Sequence, residues 1–146
     1  MLTGAGKTTA ISMITGQLNP SQGQVYVGGY NTVEERANAL KLLGIVPQFD
    51  VLYDDMTVEE HLEMYAQVKG VDQDLVASWS EHIAAKVSLQ KCDLYTRQSK
   101  QLSGGMRRRL SIGIALLSHP RVLFLDEPTT GLDPGVKRSI WYVEFS

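Results

Sequence analysis

Cysteine is all but absent: Cys92 stands alone among 146 residues. The chain therefore forms no internal disulfide and offers no thiolate cluster to a metal, which suits a reducing compartment. An excess of charge is missing as well, since 14 Lys and Arg against 16 Asp and Glu leave a net charge of −2. That balance gives no broad positive field to attract nucleic acid or an anionic membrane surface. No apolar run approaches about 18 residues, the length of a membrane-spanning helix, and no secretory leader opens the chain. Internal repeats and low-complexity linkers are also lacking. What remains is ordinary globular material, 43% hydrophobic and 21% charged, enough for one domain. Alone it reads as a soluble polypeptide, so a membrane role would come through a partner or another part of the protein.

Chemistry begins at the first residues, MLTGAGKTT. A phosphate-binding loop needs G-x-x-x-x-G-K followed by Ser or Thr, so that backbone amides wrap the phosphates and the Lys neutralises them. Gly6, Lys7 and Thr8 satisfy its second half, Thr9 follows, and Gly4 and Ala5 keep the backbone open to a ligand. The first glycine of the pattern falls at Met1. Lys7–Thr15 reads as a helix whose amino end faces the phosphates, with Ile11 and Ile14 on its buried side.

Further along, Gly16–Gly23 is loop chemistry, Gln24–Val27 a short strand, and Gly28-Gly29 a tight turn. Asn31 caps a polar helix reaching about Leu40. Leu43–Val46 is an apolar run between loop residues, a buried strand that ends just before Gln48. From Phe49 the pattern turns helical. Thr57 and Glu60 form a capping box; Leu62, Tyr65 and Val68 give an apolar face, and Gly70 ends the helix. Asp72 caps a second helix carrying Leu75, Val76, Trp79, Ile83 and Val87. Asp54-Asp55 reads as loop charge rather than metal ligands, and His61 and His82 as ordinary surface or half-buried residues. Phe49, Val51, Leu52 and Tyr53 form an apolar cluster that core packing and an interface explain equally well.

The most informative stretch is Leu102–Pro134. Ser103-Gly104-Gly105 opens a helix with Leu110, Ile114 and Leu117 on one side, a second anion site made of free amides, a hydroxyl and the positive end of a helix dipole. Arg107, Arg108 and Arg109 point about 100° apart on that helix, so they form a solvated or ion-paired face, not one ligand site. Val122–Leu125 reads as a buried strand with Asp126-Glu127 at its carboxyl end, where open α/β sheets bind ligands. Magnesium bridging phosphates needs hard oxygens, which Thr8 and Asp126 supply. Glu127 is then free to deprotonate an attacking water. Asp133 caps a helix that Pro134 begins and Val136–Tyr142 continues.

LSGG, VLFLDEP and GLD in this order resemble the signature, Walker B strand and D-loop of the ATP-binding cassette of ABC transporters. LDEPTTGLDP together with FDVLYDDMTVEEHLEMYAQVKG is most similar to the A subfamily, many of whose members export lipids. The resemblance implies an α/β fold, a P-loop NTPase core with a mostly parallel sheet plus an α-helical subdomain. Residues 1–48 would be the P-loop to Q-loop core, 49–101 the helical subdomain, and 102–146 the signature, Walker B and D-loop segment. It implies ATP and Mg2+ as cofactors, Gln48 as a Q-loop metal contact, and Asp133 touching an opposite cassette. A second cassette paired head to tail and transmembrane domains at the cytoplasmic face of a membrane are the implied partners, with no nucleic acid.

Against the family pattern the chain reads as truncated at both ends, lacking the first strand and the switch histidine, a position His119 cannot fill. Alone it would then be marginally stable and a poor ATPase. The competing readings are a non-catalytic fragment and a soluble ABC-type ATPase acting on nucleic acid or the ribosome.

Overall fold

The computed structural model describes residues 6–47 and 49–125. Helix α1 spans Lys7–Ile14, with Thr15 as its carboxyl cap. A hairpin follows, β1 (Tyr26–Val27) pairing antiparallel with β2 (Tyr30–Asn31) across Gly28-Gly29. The Asn31 carboxamide oxygen accepts from the Val33 and Glu34 amides at 2.9 and 3.2 Å. It therefore caps a turn, and the helix itself, α2 (Arg36–Lys41), starts later than the sequence predicts.

Strand β3 (Leu43–Val46) pairs in parallel with β4 (Val122–Leu125), Leu43 opposite Val122 and Val46 opposite Leu125. Neither is wholly buried as expected, since Ile45 is 38% and Val122 39% exposed. Only one face of this strand pair, with Val46 at 0% exposure, meets the main core. Gly44 allows the close approach: a Cβ there would stand 2.9 Å from the Ala115 carbonyl and 2.7 Å from Leu123 Cδ1.

The core proper is helical. Helix α3 (Val58–Val68) packs on α4 (Val76–Lys86) and on α6 (Gly104–Leu116), and α6 packs on β3. A short α5 (Cys92–Tyr95) lies against α3. Helix α6 is thus enclosed by helices and by the sheet, which is why it buries residues nearly all round, from Arg108 and Leu110 to Ala115 and Leu116. The capping box forms as the sequence predicts: the Glu60 amide donates to Thr57 Oγ1 at 3.1 Å, and the Thr57 amide to Glu60 Oε2 at 2.7 Å. Gly70 ends α3 in a Schellman turn, with Val71 N–H bonded to Ala66 O and Gly70 N–H to Gln67 O, both at 3.0 Å. Helix α4 ends the same way, with Leu89 to Ala84 at 2.8 Å and Ser88 to Ala85 at 3.0 Å, but there the left-handed position holds Ser88, φ +57°.

Several expectations are corrected. Val68 is 74% exposed, because six residues beyond Leu62 turn it about 120° away from that face; Ala66 takes the buried place. Asp72 makes no side-chain cap: a 3₁₀ turn, Gln73–Leu75, precedes α4 and leaves Leu75 54% exposed. Residues 49–57 form a strap without regular helix, turning at Asp54-Asp55, and helix begins only at Val58. The carboxyl end of α6 is held by Trp79, whose Nε1–H donates to Leu117 O at 3.1 Å while its ring lies against His82 and His119.

Candidate functional site

The amino ends of α1 and α6 are the described parts of the expected site. Gly6 precedes α1 with φ +73°, and its carbonyl accepts from the Ala10 amide at 2.9 Å. Among the described residues no atom beyond its chain neighbours lies within 4 Å of the place a Cβ would occupy at Gly6. Lys7 and Thr8 form the first turn with exposed Thr9, and no acidic residue stands there to compete for the dipole's positive end.

Ser103 caps α6 as the sequence predicts. Its Oγ accepts from the Met106 amide at 3.3 Å, and its carbonyl from the Arg107 amide at 2.9 Å. Among the described residues outside their own helix turn, nothing lies within 4 Å of a Cβ built on Gly104 or Gly105. This first turn also lacks acidic residues. Among the described residues both helix ends therefore present backbone N–H groups with no acidic residue in the first turn, the arrangement that fits a phosphate chain.

Of the remaining expected residues, Gly4, Ala5, Gln48, Asp126, Glu127 and Asp133 lie outside the described residues, as does the helix expected from Pro134. What the fold supplies toward them is strand register. Since Val46 pairs with Leu125, β3 and β4 end side by side, two residues before Gln48 and one before Asp126 in the chain. Among the described residues no group of three or more His, Cys, Asp or Glu could hold a metal, and no helix is long and apolar enough to cross a membrane.

Sequence reasoning overlooked three side chains around the strap. Arg108 is not part of a solvated face: it is 4% exposed and donates to the Pro47 carbonyl and to Asp50 Oδ1, the latter at 3.4 Å. Ser111 Oγ donates to the same carboxylate oxygen at 2.8 Å. His61, read as a surface or half-buried residue, is fully buried. Its Nε2 accepts from the Tyr53 amide at 2.9 Å, so Nδ1 carries the proton and donates to Thr57 O at 2.7 Å. Burial lowers its pKa from the ordinary 6.5, outweighing the Thr57 hydrogen bond that acts the other way.

Arg107 and Arg108 are ion-paired, Arg107 with Asp54 at 2.9 Å and Arg108 with Asp50 at 3.4 Å, whereas Arg109 donates to the Ser88 carbonyl at 3.3 Å. Asp55 is loop charge, bound to Lys100 at 2.6 Å; that hydrogen bond and charge lower its pKa. The strap alternates. Phe49, Val51 and Tyr53 are 76%, 70% and 55% exposed, whereas Asp50 reaches α6 and Leu52 packs on the core. The apolar cluster is thus mainly surface.

A family model described as ABC transporter matches residues 2–130. The phospholipid-transporting ATPase ABCA3 of Homo sapiens is 45% identical over 138 residues, 94% of this chain and 8% of that protein. Its Mus musculus counterpart is 48% identical over 139 residues with the same coverage. ABC transporter A family member 9 of Arabidopsis thaliana is 42% identical over 141 residues, 94% of this chain and 14% of its own length. The chain thus spans a small part of these relatives. Among solved structures, the ATP-binding subunit of an ABC transporter superposes with a TM-score of 0.77 at 28% identity, covering 95% of this chain and 57% of that one. A dimeric, post-hydrolysis ATP-binding cassette bound to ADP and Pi shares the fold, with a TM-score of 0.75 at 24% identity over 92% of this chain and 61% of the other.

Proposed function

Because the chain belongs to the ABC transporter family, we propose that it is the nucleotide-binding part of a transporter, in which ATP binding and hydrolysis drive a lipid across a membrane. The observation that carries this reading is the amino end of α6, a Ser103 cap over two uncovered glycines. Together with the amino end of α1 it gives the chain two anion-receptive helix ends but one loop lysine, Lys7. Such an arrangement suits two cassettes paired head to tail, each P-loop facing the other's signature. The dimeric state of the ADP-bound structural neighbour supports that pairing.

In this reading Gly4 to Thr9 wrap the phosphates, and Ser103, Gly104 and Gly105 hold the nucleotide bound to the second cassette. Thr8, Gln48 and Asp126 would hold Mg2+, which would neutralise phosphate charge and act as a Lewis acid. Glu127 takes the proton of the attacking water, and Asp133 touches the opposite cassette. The exposed Phe49, Val51 and Tyr53 dock on transmembrane domains, which place the cassette at the cytoplasmic face. Lipid as cargo is supported by relatives named phospholipid-transporting ATPases. The test is whether a Glu127→Gln variant keeps ATP bound while its turnover falls.

A further inference from the structure

The strap and helix α6 meet through buried polar contacts that neither nucleotide binding nor docking on a partner requires. Arg108, in the second turn of α6, donates to the carbonyl of Pro47 and to Asp50. Ser111, one turn further on the same face, donates to Asp50 at 2.8 Å. Asp50 thus receives two donors from one helix face, and its side chain is only 19% exposed against 5% for Arg108. The contacts fall on both sides of position 48.

Two further ties flank this one. Arg107 reaches Asp54 at 2.9 Å and the Ser99 carbonyl at 3.3 Å. Ser99 Oγ in turn donates to Tyr53 O at 2.8 Å. The strap therefore shows its odd residues, Phe49, Val51 and Tyr53, to solvent. Its even residues Asp50 and Asp54 are fastened to the helix that Ser103, Gly104 and Gly105 begin.

We infer that Arg108 and Ser111 are positioning residues which tie the 49–54 strap to the amino-terminal turns of α6, so that displacement of the exposed strap displaces the Ser103-Gly104-Gly105 turn. A planar guanidinium bridging a carbonyl and a carboxylate holds both at fixed angles, which a lysine on a flexible stem does not. Because Arg108 lies four residues after Gly104 on one continuous helix, movement of its head group is movement of the helix end. The functional meaning rests on the reading of that helix end as a nucleotide site and of the strap as a docking surface. The mechanical tie itself can be tested without nucleotide.

The experiment is amide hydrogen exchange on the full chain, comparing the parent with Asp50→Asn, Ser111→Ala, Arg108→Lys and, as control, Arg97→Gln in the exposed pair with Asp93. Exchange in Asp50→Asn and Arg108→Lys is expected to rise at least about tenfold at the hydrogen-bonded Tyr53 amide and also at the Met106 and Arg107 amides, the scale of one lost charge-assisted hydrogen bond. Leu62–Ala66 and Ile112–Leu116 keep their protection, and the control changes neither segment. Combining Asp50→Asn with Ser111→Ala is expected to add less than the sum of the two single effects, because both act on the Ser111–Asp50 contact. Faster exchange at Tyr53 with unchanged Met106 and Arg107 overturns the proposal, as does no change at either place. Should Arg108→Lys accelerate exchange everywhere, Asp50→Asn and Ser111→Ala decide by the same two criteria. Failure of the nucleotide reading shows separately, as absence of ATP retention with the exchange coupling intact.

Discussion

His61 makes the stability of this chain depend on pH in a way that can be worked out from its contacts. The ring is fully buried, with Nε2 accepting the Tyr53 amide and Nδ1–H donating to Thr57 O. Protonating Nε2 would set one N–H against another and charge a buried group. Burial accordingly lowers the pKa; the charge of Arg107 acts the same way, whereas the Thr57 contact and Glu60 act against it. The folded chain then binds the proton less readily than the unfolded chain, whose histidine titrates near 6.5. Above that pH the contribution is complete, and stability falls as pH drops from 6.5 toward the lower folded value, by at most about 1.4 kcal/mol per pH unit. Glu60, whose pKa is lowered from 4.5 by the Thr57 backbone and hydroxyl, contributes above 4.5 and loses its effect only in more acid solution. The two losses set in at different pH values, the first below 6.5 and the second below 4.5.

Urea unfolding of the parent and of His61→Gln, between about pH 5 and 8, isolates the effect. The variant is expected to be less stable at neutral pH by about 1–3 kcal/mol, the cost of a disturbed acceptor for a buried amide. The gap between the two curves should narrow as pH falls below 6.5. Parallel curves across that range would refute the assignment of His61 as a buried neutral acceptor.

Ser88→Gly should stabilise the chain by about 1 kcal/mol, since φ +57° at the end of α4 strains an L side chain and suits glycine. The expected rise in Tm is about 2–4 °C, and an unchanged or lower Tm would contradict it. Gly44→Ala should cost about 1–3 kcal/mol by overpacking. Its methyl would meet Ala115 O and Pro120 Cγ at 2.9 Å, and the backbone carbonyl cannot swing aside. A urea midpoint equal to the parent's would show that β3 lies further from α6 than described.

Local signals in the sequence carried much of this architecture. The Thr57–Glu60 capping box, Gly70 as helix end, the apolar runs of β3 and β4 and the Ser103 cap are each set by neighbours within a few residues, so they can be read before any tertiary contact is known. Polar residues in buried stripes were harder to see. Val58, His61, Leu62, Tyr65 and Ala66 follow one helical stripe, and His61 occupies a core position within it. Arg108, Ser111, Ile112, Ala115 and Leu116 repeat the pattern on α6, where three successive arginines looked like surface. In both cases the partner comes from the strap, Tyr53 or Asp50, and no spacing within the helix specifies it. The strap itself was read as helical because its alternation of apolar and acidic residues is short and is followed immediately by a capping box.

Under the function proposed above, this chain binds and hydrolyses ATP within a transporter, with Glu127 as the base. In a transporter carrying this cassette, Glu127→Gln should retain Mg2+-dependent ATP binding, hold the nucleotide in the paired state and lower turnover by about 10²–10⁴-fold. ATP bound and retained while lipid movement stops is the result predicted. Unchanged turnover, or loss of ATP binding itself, would contradict the account.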